Sequence, residues 1–135
     1  MDCIVRKYSE FNIQAELFSS LRKSLMPLGY SVYGEVRLMS KEKTGGHFNK
    51  RKGRIVGATR KQRGRLDIAV FWGSKMLCAV EVKNKKTAGW KGQKKKYLGL
   101  GVPRVFLCSS LKQIDSVGLE IKEFISEVNS GSASQ

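Results

Sequence analysis

The sequence predicts an α/β domain in which helices flank a central mixed four-stranded sheet, in the order α-β-β-β-α-β with a further C-terminal helix. Three observations predict it. Apolar residues recur at helical spacing near both ends of the chain. Between them lie short apolar runs bounded by turn residues, as strands are. The last two strands are separated by a helical stretch, the crossover that a parallel pair requires.

Residues Ser9 to about Met26 read as a helix with Ser9 as its N-cap. Phe11, Ala15, Phe18, Leu21 and Leu25 form its apolar stripe, widened by Leu17 and Leu28. On this wheel Glu10 and Gln14 fall inside the apolar sector and Glu16 outside it. Pro27 and Gly29 end the helix. Tyr30–Met39 alternates as a strand, with Val32, Val36 and Leu38 on one face and Tyr33, Glu35 and Arg37 on the other. The pattern then lapses. Residues 41–65 are expected to be a long mobile loop in which only Ile55-Val56 could join a strand.

A hairpin follows over 65–83, turning at Gly73-Ser74. Thr87–Gly99 reads as a helix and Val102–Cys108 as a short buried strand. Ser110-Leu-Lys-Gln113 has the form of a capping box, opening a helix with Ile114, Val117, Ile121, Phe124, Ile125 and Val128 as its stripe. Asn129–Gln135 is expected to be a flexible tail, leaving residues 1–128 as one domain.

Charge narrows the partners. The 135 residues carry 26 Lys and Arg against 11 Asp and Glu, a formal charge of +15. Such a surface attracts polyanions, of which nucleic acid is the commonest. Two stretches hold seventeen of the 26 basic residues: ten in 41–65, beside the single acid Glu42, and seven in 83–96, with no acid. Lys50, Arg51, Lys52, Arg54, Arg60, Lys61, Arg63 and Arg65 in the first, and Lys85, Lys86, Lys91, Lys94 and Lys95 in the second, are the candidate phosphate contacts. A membrane partner is not expected, for there is neither a basic amphipathic helix nor a long apolar run.

The start of the chain lacks the apolar core of a signal segment. Cys78 and Cys108 sit inside apolar runs, and with Cys3 they form no CxxC pair, so an intracellular location is expected. A single histidine, His47 on a Gly-rich stretch, leaves zinc fingers, HNH-type nucleases and Cys/His hydrolases without their groups.

The chemistry concentrates in the hairpin. If both its runs are strands, Glu81 and Lys83 share a face, and Asp67 can lie across from them. Two carboxylates and an ammonium at the edge of an apolar sheet are costly unless something uses them. A solvated cross-strand face is the plain alternative. A divalent metal and a phosphate would use all three groups. Phosphodiester hydrolysis needs an activated water and neutralisation of charge on the phosphate, which Mg²⁺ or Mn²⁺ can supply. Asp67 and Glu81 would be its ligands, with the Val82 carbonyl beside them, and Lys83 would hold or deprotonate the attacking water.

Asp67, then Glu81-Val82-Lys83 fourteen residues on, within an α-β-β-β-α-β frame, resembles the PD-(D/E)xK nuclease superfamily, especially small archaeal Holliday-junction resolvases and VRR-NUC-like domains. The resemblance spans most of residues 9–110 and implies a restriction-endonuclease-like core. Leu66 stands where the superfamily pattern has Pro. The resemblance also implies a further acid at the metal site, which Glu10 on the first helix or Glu35 on the first strand would provide. It implies an inward Gln and Tyr on the crossover helix, matched by Gln93 and Tyr97.

The expected activity is that of a Mg²⁺-dependent DNA endonuclease acting on branched or duplex DNA, in recombination, repair or the processing of phage or mobile-element DNA. So short a chain has little room for a separate recognition module, which favours selection of DNA structure over a long sequence. Cutting two strands would call for a homodimer. A homing or restriction-type endonuclease and a non-catalytic nucleic-acid-binding module are the alternatives.

Overall fold

The computed structural model describes residues 10–83 and 89–133. Its elements run α1 (Glu10–Leu25), β1 (Ser31–Thr44), β2 (His47–Asn49), β3 (Arg54–Val56), β4 (Thr59–Trp72), β5 (Lys75–Val82), α2 (Trp90–Gly99), β6 (Val105–Cys108) and α3 (Ile114–Ala133). The main sheet has the order β1-β4-β5-β6. β1, β4 and β5 are antiparallel neighbours, and β5 and β6 are parallel, so the α/β architecture and the mixed four-stranded sheet are as expected. β4 and β5 meet at a two-residue turn, Gly73-Ser74, with Trp72 opposite Lys75.

Two apolar cores sandwich this sheet. The larger gathers Ile13, Leu17, Leu21 and Leu25 of α1 with Val117, Ile121 and Ile125 of α3, against Val32, Ile68, Val70, Cys78, Val80 and Val82. The smaller gathers Leu66, Ala69, Ala79 and Val105 with Tyr97 of α2, and Val36, Leu38 and Trp90 pack at its edge. The buried row of α1 is rotated from the predicted stripe. Its members are spaced by four from Ile13, whereas Phe11 is 74 % exposed and Leu28 64 %.

The first strand departs from simple alternation at Glu35. Val32 packs in the larger core, but Val36 and Leu38 pack in the smaller one. Regular period-two geometry would keep all three on one face. Glu35 has φ of +52°, a left-handed conformation in mid-strand, and the side chains exchange faces across it. β4 does the same between Leu66 and Ile68, which lie in different cores.

Residues 41–65 are not a loop. β1 and β4 extend past the sheet as an antiparallel arm, and β2 and β3 form a smaller hairpin at its tip. Bulges between Leu38 and Lys43 interrupt the arm's ladder. There Ser40 Oγ substitutes for a backbone acceptor, taking the Lys61 N–H at 2.9 Å while donating to the Glu42 carbonyl at 2.9 Å. Gly46 joins arm to tip with φ of +82°. A Cβ there would fall 2.7 Å from both the Val56 carbonyl and the Ala58 nitrogen.

Nor is the C-terminal segment a free tail, since α3 continues through Ala133. The Asn129 amide donates to the Tyr30 hydroxyl, tying this turn to the start of β1. α3 itself opens after a 3₁₀ turn, Leu111–Gln113, rather than at a capping box on Ser110. Gln113 Oε1 instead accepts from the Ser109 N–H at 2.7 Å and from its hydroxyl at 2.9 Å. Ser9, the proposed N-cap of α1, lies outside the described residues. Cys78 and Cys108 are buried free thiols, and burial pushes the Cys78 thiol up to about 12. Among the described residues no helix is long and apolar enough to cross a membrane.

Candidate active site

β4 and β5 pair Val70 with Cys78, Ala69 with Ala79 and Ile68 with Val80. One step further, Asp67 faces Glu81, and there the ladder ends. The Val82 N–H, with no β4 carbonyl left to meet, donates to Asp67 Oδ2 at 2.8 Å. On the other side, Gly34 pairs with Ile68 and Val36 with Leu66, so the strained Glu35 lies opposite Asp67. The Asp67 carbonyl accepts from Gln14 Nε2 at 3.0 Å, fastening α1 to this point of the sheet. Asp67 is thus held from three neighbouring elements.

Glu81 is the one charged side chain among the described residues that is buried, at 3 % exposure. It belongs to the face of β5 that α2 covers. Its Oε2 accepts from Gln93 Nε2 at 3.3 Å. Gln93 Nε2 also donates to the Tyr97 hydroxyl at 3.1 Å, which in turn donates to the Arg65 carbonyl at 3.0 Å. The relay therefore begins and ends at the two strands that carry the acids. Gly64 makes room for it: a Cβ there would stand 3.0 Å from Tyr97 Cε1.

The other oxygen, Glu81 Oε1, is buried with no hydrogen-bond partner. Burial chiefly, and then the adjacent Asp67 carboxylate, push the Glu81 carboxyl up from 4.5 to about 8. The Lys83 ammonium opposes the rise. Without a cation this carboxyl is mostly protonated at neutral pH, within reach of Asp67. Burial also raises the Tyr97 hydroxyl, and its bond from Gln93 works against that.

Asp67, Glu81 and Gln93 come together as the hairpin and crossover helix require, and Lys83 sits half-buried at the end of the same strand. Val82 meets Asp67 through its amide. Glu10 and Glu35 are exposed, and among the described residues no three His, Cys, Asp or Glu side chains gather closely enough to hold a metal. Asp67 and Glu81 are the two acids that stand against each other, and Glu35 lies on β1 at the position opposite Asp67. Leu66, at the position of the pattern's Pro, is fully buried in the smaller core.

The candidate phosphate contacts at 50–54 and 60–65 lie exposed along the arm, and Lys91, Lys94 and Lys95 are exposed on α2. Lys85 and Lys86 lie outside the described residues. Arg65 has a second part in the site, through the carbonyl that receives Tyr97. Gln14, read from the sequence as facing inward beside Glu10, is a positioning residue through its bond to the Asp67 carbonyl. Its spacing of four from Glu10, on the helix face turned toward the strands, was the available signal.

Comparisons with family models, with curated proteins and with solved structures return no match for this chain.

Proposed function

We propose that the chain is a divalent-metal-dependent endonuclease acting on DNA, and that Asp67, Glu81 and Lys83 form its reaction centre. One observation carries this reading. A buried carboxylate oxygen, Glu81 Oε1, has no partner, and its carboxyl stands against the Asp67 carboxylate in a chain of formal charge +15. Ionising Glu81 leaves that oxygen an orphaned acceptor beside a second acid, a costly arrangement that a cation would relieve.

The donor set fits a hard cation: two carboxylates, with the Val82 carbonyl as a further oxygen. Asp67 and Glu81 would hold Mg²⁺ or Mn²⁺, which when bound supplies charge neutralisation and Lewis-acid polarisation at the scissile phosphate. Gln93 fixes Glu81 Oε2, and Tyr97 fixes Gln93, so the carboxylate is aimed before substrate arrives. Lys83, two residues past Glu81 and just beyond the end of β5, would hold the attacking water at Nζ and offset the charge that develops on the phosphate. The exposed lysines and arginines of the arm and of α2 would grip the backbone on either side without reading bases, which suits recognition of DNA structure.

The test is a panel of linear, flap, fork and four-way DNA substrates with Mg²⁺, comparing wild type with Asp67→Asn. Cleavage that requires metal and disappears in the variant supports the endonuclease. Preference for the branched substrates supports structure selection, and fixed cut positions in linear duplex support a homing or restriction-type enzyme. Tight binding without cleavage of any substrate would leave a binding module.

A further inference from the structure

We propose that the tip of the arm is a wedge for double-stranded DNA, in which Phe48 and Ile55 enter the stack at a base step. This rests on the nucleic-acid reading above and adds the form of the substrate. Phe48 of β2 and Ile55 of β3 are cross-strand partners, so their side chains stand together on one face of the small hairpin. They are 61 % and 64 % exposed. Isolated apolar residues on a surface need no explanation, but here two are held side by side on a projection.

The hairpin that carries them is well built. Asn49 Oδ1 accepts the Lys52 N–H at 3.0 Å, and the Asn49 carbonyl accepts the Gly53 N–H at 2.8 Å, closing the turn. Lys50, Arg51 and Lys52 occupy the turn beside the apolar pair and Arg54 the neighbouring strand position, with no acid between His47 and Gly57. An apolar pair on a hairpin whose turn carries three cations matches a duplex, whose bases are apolar in the stack and whose phosphates flank each step. Proteins that kink DNA insert such side chains between base pairs and gain a wider hold on the backbone from the bend.

Connectivity favours DNA over an anionic membrane. β4 carries both an arm strand and Asp67. The strand from Thr59 to Asp67 covers about 25 Å at ~3.3 Å per residue, so tip and site can engage one polymer several base pairs apart. Duplex form follows from shape. A two-stranded ribbon can lie in a groove of B-form DNA, and apolar wedges of this kind open a base step of that duplex from the minor groove. A wedge would favour steps that unstack easily, as at junctions and flexible sequences.

The experiment uses the full chain in EDTA with a duplex bearing 2-aminopurine at successive positions and a fluorophore pair on its ends. Wild type should brighten 2-aminopurine at particular steps and shorten the end-to-end distance. The Phe48→Ala/Ile55→Ala double variant, whose melting temperature should match wild type, should lose both effects and bind about tenfold more weakly, with its log-salt slope unchanged. A double variant that unstacks DNA as wild type does overturns the wedge. Wild-type binding without unstacking also overturns it, while cleavage with Mg²⁺ would still uphold the endonuclease. Unstacking with no cleavage upholds the wedge and removes the endonuclease, and failure to bind any duplex removes both. Binding to phosphatidylserine vesicles that depends on Phe48 and Ile55, without unstacking, overturns the wedge in favour of a membrane contact.

Discussion

Asp67 Oδ2 accepts the backbone N–H of Val82 at 2.8 Å, so the acid proposed to hold metal also closes the last rung between β4 and β5. Structure and chemistry can be separated there. Asp67→Asn keeps an oxygen for the Val82 amide and should fold with a stability within about 1 kcal/mol of wild type, yet lose metal-dependent cleavage. Asp67→Ala leaves that amide without its acceptor and should cost about 1–3 kcal/mol. Urea midpoints and cleavage assays on the two variants check both halves.

Glu81 makes the metal-free protein sensitive to pH in an unusual direction. The carboxyl titrates at 4.5 in its ordinary state and near 8 in the fold. The folded chain therefore binds the extra proton across that window. The associated stability is full below about 4.5 and is lost as pH rises through about 8. Urea midpoints in EDTA should fall over this range, and Glu81→Gln should flatten the profile.

Metal binding should be coupled to the same proton. A ligand carboxyl must be ionised, so Mg²⁺ has to displace the proton that Glu81 holds below about 8. Affinity should rise with pH up to that value and level off above it. Calorimetric titration in two buffers of different ionisation enthalpy would show the released proton, and a pH-independent affinity would rule out Glu81 as a ligand.

Glu35 should tolerate substitution according to backbone, not charge. At φ of +52°, Asn is readily accommodated and a β-branched residue is not. Glu35→Val should melt lower than Glu35→Asn, by the equivalent of about 1–2 kcal/mol. If the acid also served catalysis, both variants would lose activity equally despite their different stabilities.

Replacing Lys50, Arg51, Lys52 and Arg54 with Gln should weaken DNA binding for all sequences alike. The slope of log affinity against log salt should become shallower by about one for each phosphate the protein no longer neutralises. Binding measured from low to high salt on one duplex gives that slope directly.

The parts of the molecule legible in sequence are those with one buried side. The β4–β5 hairpin announced itself because its apolar runs have a core to face. Counting from the Gly73-Ser74 turn alone sets Asp67 opposite Val80; the bulge between Val70 and Phe71 shifts the register by one and brings Glu81 there instead. The stripe of α3 was readable for the same reason, with Val117, Ile121 and Ile125 buried as expected. The arm was not. A two-stranded ribbon exposed on both faces has no reason to alternate apolar with polar, so its strands read as a basic loop. Nor does composition disclose that Val32 and Val36 serve different cores, because the exchange depends on one backbone angle at Glu35. The orphaned Glu81 oxygen required three dimensions, since its isolation results from how α2 settles over the sheet.

That two-sided exposure of the arm has a consequence for reach. Nothing in the cores records how far β1 and β4 run beyond Leu38 and Gly64, because past that pair the strands meet mainly each other and solvent. Residue pairs could be added to or removed from the ribbon while the sheet, the helices and the Asp67–Glu81 pair stay as they are. The distance between the tip hairpin and the Asp67–Glu81 pair is thus an adjustable dimension of this fold, set by ribbon length and not by core packing.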